Sequence, residues 1–133
     1  MPKWVKDVGG SGASSSIPAT VRVDKQNNIY ICGIFSGTVD FDPSAGVYNL
    51  TSVGGSFDTY VAKYTPAGAL IWAVGFGGSG TDQVNGMSLD DNGNPTVIGQ
   101  YDSSSMDVDP GPGVFNLQNN GDKDGFIVHF DTN

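Results

Sequence analysis

Residues 40–50 read Asp-Phe-Asp-Pro-Ser-Ala-Gly-Val-Tyr-Asn-Leu, and residues 107–117 read Asp-Val-Asp-Pro-Gly-Pro-Gly-Val-Phe-Asn-Leu. Seven of the eleven positions are identical, at a constant offset of 67 residues, so the two stretches are copies. The match extends outward on both sides. Trp4 recurs as Trp72, and Gly9-Gly10-Ser11-Gly12 recurs as Gly77-Gly78-Ser79-Gly80, both at an offset of 68. Asp24 and Gly33 are answered by Asp90 and Gly99 at 66, as are Asp58, Tyr60 and Tyr64 by Asp124, Phe126 and Phe130. An offset that drifts by one or two residues marks small loop insertions between true repeats, and the chain is one unit of about 66 residues written twice.

Every local signal inside the unit is β. Ala19 to Asp24 reads as a short strand with Val21 and Val23 on one face, and Asn27-Asn28 as a turn, matched by Asp91-Asn92-Gly93-Asn94. Ile29 to Phe35 is apolar at successive positions, as a strand covered on two sides requires. Thr38 to Asp42 and Val47 to Thr51 flank Pro43-Ser44-Ala45-Gly46 and predict a hairpin. Thr59 to Tyr64 alternates, and Pro66-Ala67-Gly68 turns the chain into Leu70 to Val74. No segment spaces its apolar residues for a helix, so essentially no α-helix is expected.

Composition narrows the classes. The 133 residues suffice for one domain of ordinary size. Twenty glycines and seven prolines punctuate the backbone, while 38% hydrophobic residues supply a core. Fourteen acids against six bases give a net charge of −8, which repels phosphate and excludes a basic nucleic-acid binder. A coiled coil, a collagen and a disulfide-stapled miniprotein are excluded as well, the last because Cys32 is the single cysteine. Cys32 lies in an apolar run and is expected to be a buried, inert thiol. No run reaches the roughly 18 apolar residues of a membrane span, and Met1-Pro2-Lys3-Trp4 carries no signal-like apolar core.

Four strands per unit, repeated at this period, describe propeller blades: an all-β fold of two four-stranded antiparallel blades. Here the residues form recognisable strings: Trp4 with Gly9, Gly10, Ser11 and Gly12; Asp24, Asn27, Ile29, Tyr30, Ile31 and Gly33; and Asp58, Tyr60, Val61, Ala62, Lys63, Tyr64, Gly68, Leu70, Ile71 and Trp72. This pattern resembles the seven-bladed β-propeller repeats of bacterial surface and secreted proteins. The resemblance covers nearly the whole chain twice. It implies the fold and an extracellular or cell-surface setting, and no catalytic residues to carry over. One departure is plain: Ser14 stands where the second unit has Asp82, so that turn differs between copies.

A closed propeller needs roughly four to eight blades, and this chain supplies two. Its strand frame is offset. The chain opens on Trp4 to Val8, the counterpart of the unit's last strand, and closes after Phe126 to Phe130, the counterpart of its third. Blade 1 is therefore assigned to residues 9–76, and blade 2 to residues 77–133 plus residues 3–8 of a neighbouring copy, within one repeat module of residues 1–133. Strand exchange of this kind is head to tail and builds a ring or a fibre. The predicted assembly contacts are Trp4, Val5 and Val8 on one side and Phe126, Val128 and Phe130 on the other.

Several polar features could carry chemistry. Asp40 and Asp42, repeated as Asp107 and Asp109, alternate along a strand and could hold a Ca²⁺ ion with loop carbonyls; otherwise they start the Pro turn. Asp90-Asp91-Asn92-Gly93-Asn94 looks like half a calcium loop but lacks the distal glutamate, which favours a hairpin turn. Gly75-Phe76-Gly77-Gly78-Ser79-Gly80 imitates a phosphate loop with no helix after it, so it reads as a connection between blades. His129, the single histidine, aligns with Lys63 and is expected to be satisfied or exposed rather than a general base, since no Ser/His/Asp set is repeated. Asn49-Leu50-Thr51 is an N-glycosylation sequon. Tyr48 and Phe115 are the aromatics expected to reach an exposed contact.

Three functions compete. The favoured one is a non-enzymatic structural or interaction module that assembles with other copies of itself. The alternative is a lectin-like, glycan-binding propeller, with or without calcium, with one shallow site per blade built from Asp, Asn and Tyr48 or Phe115. An enzyme fragment with paired carboxylates is disfavoured, because every pair is repeated rather than unique to one blade.

Overall fold

A computed structural model describes residues 1–132. Among these residues the chain forms twelve strands: β1 (Gly9–Gly10), β2 (Ser15–Val23), β3 (Ile29–Ser36), β4 (Thr38–Asp40), β5 (Asn49–Thr51), β6 (Asp58–Tyr64), β7 (Leu70–Gly78), β8 (Asp82–Leu89), β9 (Pro95–Tyr101), β10 (Ser105–Asp107), β11 (Asn116–Gln118) and β12 (Asp124–His129). Among the described residues the one helical element is a 3₁₀ turn at Val53–Gly55. All pairings are antiparallel, and the sheets remain open rather than closing into a barrel.

The first unit builds a four-stranded meander in the order β2-β3-β6-β7. Beyond its pairing with β6, β7 runs on to pair with β10, whose other edge takes β11. The second unit repeats the first three strands as β8-β9-β12. The small hairpin β4-β5 takes β1 on its outer edge, with Gly9 opposite Asp40 and Gly10 opposite Val39. The same register recurs 67 to 68 residues later, with Gly77 opposite Asp107 and Gly78 opposite Met106. Gly9–Gly10 is thus the counterpart of the far end of β7.

Three expectations require correction. The strand expected at Trp4 to Val8 is absent from the fold; pairing begins only at Gly9. Residues 4–8 have no strand beside them within the chain and instead lie against the first unit, where the Trp4 Nε1 donates to the Pro66 carbonyl at 3.1 Å. Gly75–Gly78, read as a connection, is the end of β7. Glycine fits there because a side chain at Gly75 would press on the Phe35 ring, one at Gly77 on the Asp58 carboxylate, and one at Gly78 on Ser103. The first strand is also longer than expected, because Ser15 to Pro18 pair with Ser36 to Gly33 across a bulge between Pro18 and Thr20.

Two cores follow from the alternation along β3 and β6. Tyr30, Cys32 and Val61 point to the second unit and meet Met87, Val97, Tyr101 and Phe126, with Phe76 closing the layer. Phe35, Tyr60, Ala62 and Tyr64 point the opposite way and pack with Val39, Phe41 and Val8. Edge-to-face aromatic contacts order both layers, Phe76 on Phe126 at 5.9 Å and Phe35 on Phe41 at 5.8 Å.

Candidate assembly interface

The junction between the two units is the most informative surface of the molecule. On the first unit's side, Lys63 on β6 is opposite Tyr30 on β3, and its ammonium lies 4.9 Å from the centre of the Tyr30 ring. The same ammonium reaches Asp24 at 3.5 Å. The Tyr30 hydroxyl donates to the carbonyl of Gly93 at 2.9 Å, in the turn before β9. At the rim, Lys25 pairs with Asp91 at 2.8 Å, an exposed pair that contributes only about 0–1 kcal/mol but fixes direction. Gly93 has φ of +84°, which turns its carbonyl toward Tyr30, and its repeat counterpart Asn27 holds the same left-handed conformation at +64°.

The second unit carries this constellation in altered form. Thr96 takes the place of Tyr30 and His129 that of Lys63; they are opposite each other on β9 and β12, with Thr96 Oγ1 and His129 Nδ1 2.8 Å apart. Asp90 takes the place of Asp24, and in both turns the aspartate accepts from two backbone N–H groups and one asparagine amide. Hydrogen bonds from Asn94 and Asn92 hold Asp90 below the usual carboxylate range. At Asp24 burial opposes the shift, and the bonds from Asn28 and Gln26 still bring it below. The calcium-like string is thus a hairpin turn stapled by its own aspartate.

Cys32 and Val61 are wholly buried under the second unit, whereas their counterparts Ile98 and Ile127 are 47% and 76% exposed. The outer edge of β12 pairs with no strand among the described residues. Beside it lies a groove of about 380 Å³, lined by Val108, Phe115, Leu117, Ile127, His129 and Phe130 among others. In the first unit the matching place is filled by β7, and the Tyr48 hydroxyl donates to the Ala73 carbonyl at 3.0 Å. Phe115, which lacks that hydroxyl, is 65% exposed.

The six predicted assembly residues divide accordingly. Phe126 is buried between the units, Val128 and Phe130 pack on the same core, and Phe130 touches Phe76 at 5.5 Å. Trp4 and Val5 are exposed, and Val8 packs on the first unit's outer core. A cavity of about 100 Å³ between Trp4, Val8, Ile29, Ile31 and Tyr64 corresponds to one of about 190 Å³ between Trp72, Val74 and Phe130. Residues 4–8 therefore rest on the first unit as Trp72 to Val74 rest on the second.

In the repeated aspartate pairs, Asp40 Oδ1 accepts from the N–H of Asp42 and Tyr48, and Asp107 Oδ1 from the N–H of Asp109 and Phe115. Asp42 and Asp109 staple Ser44 and Gly111 in turn. Among the described residues no group of three or more His, Cys, Asp or Glu is placed to hold a metal ion. Asn49, of the sequon, is exposed on β5.

Two buried carboxylates escaped the sequence reading. Asp82 is wholly buried, accepts from Gly78 N–H at 2.5 Å and Ser103 Oγ at 2.9 Å, and ties β8 to β7. Burial raises it above the usual carboxylate range. Asp58 accepts from Val53 N–H at 2.8 Å through Oδ2, while its buried Oδ1 has no hydrogen-bond partner. Burial pushes Asp58 up to about 7, with the nearby Asp82 charge adding to the rise. The one available signal was the Ser14/Asp82 mismatch between the repeats.

Comparison with known proteins agrees with the repeat reading. The chain is 31% identical over 120 residues to an uncharacterized WD repeat-containing protein of Acanthamoeba polyphaga mimivirus. The match covers 84% of this chain and 9% of that much longer protein. No family model and no solved structure matches. The likeness points to β-propeller repeats in general.

Proposed function

We propose that this chain is a non-enzymatic propeller repeat module, of the bacterial seven-bladed type, that assembles head to tail as a structural scaffold. The observation that carries this reading is the pair of matching seats. Residues 4–10 lie on the first unit as β7 lies on the second, and the β12 edge that would receive such a strand is open. An open edge exposes a row of backbone donors and acceptors, and strand addition satisfies them. Residues 4–10 of a second copy are the matching occupant, because they repeat the sequence positions of β7. Head-to-tail addition gives a ring where the rotation closes and a fibre where it does not. The bacterial cell-surface setting rests on the family resemblance alone.

The test is the solution mass of the full chain and of a variant lacking residues 1–8, by light scattering over a hundredfold range of concentration. The full chain is expected at a multiple of 13.8 kDa, and the deletion is expected to abolish the assembly. A well-folded monodisperse monomer of the full chain, or an assembly indifferent to the deletion, refutes the proposal.

A further inference from the structure

The edge of β12 accounts for strand addition but not for the flat face beside it. We infer that the exposed face of the second unit, centred on Ile98 and Ile127 with Thr96 and Asp91 at its rim, binds the Lys25–Asn28 turn and the adjoining first-unit face of a second copy. This inference rests on the head-to-tail reading above and names the surfaces that it brings together.

The template is inside the chain. Position by position, Ile98 and Ile127 are the Cys32 and Val61 of the second unit, and those two are completely buried because another unit covers them. Two branched aliphatics at the centre of an open sheet face, 47% and 76% exposed, are apolar surface awaiting the same cover. The cover in the template is a turn with a left-handed residue, Gly93, whose carbonyl accepts from Tyr30. The chain offers a second turn of that conformation, closed by Asn27 and stapled by Asp24 as Asp90 staples the first. Laid on the second unit, it brings the Asn27 carbonyl to Thr96 and Lys25 to Asp91. The charges then alternate around the rim, Lys25 to Asp91 within a chain and Asp91 to Lys25 between chains, so neighbouring copies meet with opposite signs. Next to that turn the first unit presents Ser16, Pro18, Ile31 and Tyr60 around a cavity of about 250 Å³. Ile31 and Tyr60 are the counterparts of Val97 and Phe126, which fill the template junction.

Thr96 is the weak point of the match, since a threonine hydroxyl is shorter than the tyrosine that it replaces. Thr96→Tyr is therefore expected to restore the hydroxyl-to-carbonyl bond and tighten assembly about fivefold, the effect of one added hydrogen bond. Ile98→Asp and Ile127→Asp place a charge in the covered face and are expected to leave full-length chains monomeric. Both positions are exposed, so circular dichroism and the thermal midpoint of the monomer should stay near the wild-type values. Sedimentation velocity on wild type and the three variants decides. An assembled wild type that both aspartate variants dissociate supports the inference. An assembled wild type unaffected by any of the three overturns it, while leaving strand donation to be judged by the deletion of residues 1–8. A wild type that stays monomeric at every concentration overturns both.

Discussion

Replacing Asp58 by Asn should stabilise the protein at neutral pH, and the effect should vanish in acid. Asp58 is buried, 2% exposed, with one oxygen held by Val53 N–H and the other unpartnered. Its folded value of about 7 lies above the ordinary 3.8, so between those limits the folded state binds the proton that the unfolded state has released. The sign follows from linkage: stability from this group is fully present below about pH 4 and is lost as pH rises through about 7. The difference between those two values corresponds to roughly 4 kcal/mol of lost stability at pH 8. The amide keeps an acceptor for Val53 N–H, and the charge-assisted part of that bond is already contained in the folded value. A net gain of about 4 kcal/mol at pH 8 for Asp58→Asn, falling to nothing near pH 4, is therefore expected. Asp82, raised for the same reason, acts in the same direction. Asp24 and Asp90, held low, act oppositely and only as pH falls below the ordinary carboxylate value. Urea denaturation of both proteins from pH 4 to pH 8 measures the difference. Parallel stability curves for wild type and variant would show that Asp58 ionises freely and refute the argument.

Tyr48→Phe removes the hydroxyl that donates to Ala73 and should cost about 1 kcal/mol in denaturant unfolding, because the carbonyl on β7 loses a partner. The reverse change, Phe115→Tyr, meets no counterpart of β7 among the described residues and should leave monomer stability unchanged. Asp107→Ala deprives two backbone N–H groups of their acceptor and should cost about 1–3 kcal/mol, whereas Asp107→Asn retains most of that stability through its amide oxygen. A calcium site would behave otherwise: millimolar Ca²⁺ would raise the wild-type thermal midpoint, and both substitutions would abolish the rise.

The repeat made the fold legible. Glycine, aspartate and aromatic residues recur because each unit asks the same thing of them: Asp24 and Asp90 close a turn, while Gly33 and Gly99 let a bulged neighbour approach. The strand boundaries were less legible where residue type and pairing disagree. Gly75–Gly78 looks like a loop by propensity, yet it is strand, because Asp58 and Ser103 occupy the space that side chains would need. Pro18 looks like a strand breaker, yet β2 runs through it, since an edge strand tolerates a missing N–H at a bulge. Asp58 and Asp82 were illegible for a different reason. Beyond the Ser14/Asp82 mismatch, nothing in the letters distinguishes an aspartate buried at a strand end from one exposed in a turn; the placement of β7 against both carboxylates does so.

The repeats differ most where they meet something other than themselves. Positions that face away from the junction in the first unit and into it in the second keep their chemistry, with Val97 for Ile31, Phe126 for Tyr60 and Phe130 for Tyr64. Positions on the other face, covered in the first unit and open in the second, diverge: Tyr30 becomes Thr96, Lys63 becomes His129, and Cys32 becomes Ile98. That divergence weakens the polar grip of the second unit's face while enlarging its aliphatic centre. A hydroxyl-to-carbonyl bond and an aromatic–ammonium contact lock the junction within a chain, and neither has a full counterpart on the open face. Burial of Ile98 and Ile127 must then supply most of the cohesion between copies. Since hydrophobic cohesion strengthens on warming from low temperature, assembly should be weaker near 4 °C than at 25 °C, whereas the junction within each chain holds. Sedimentation at the two temperatures tests this, and an assembly that tightens on cooling would place its strength in polar contacts instead.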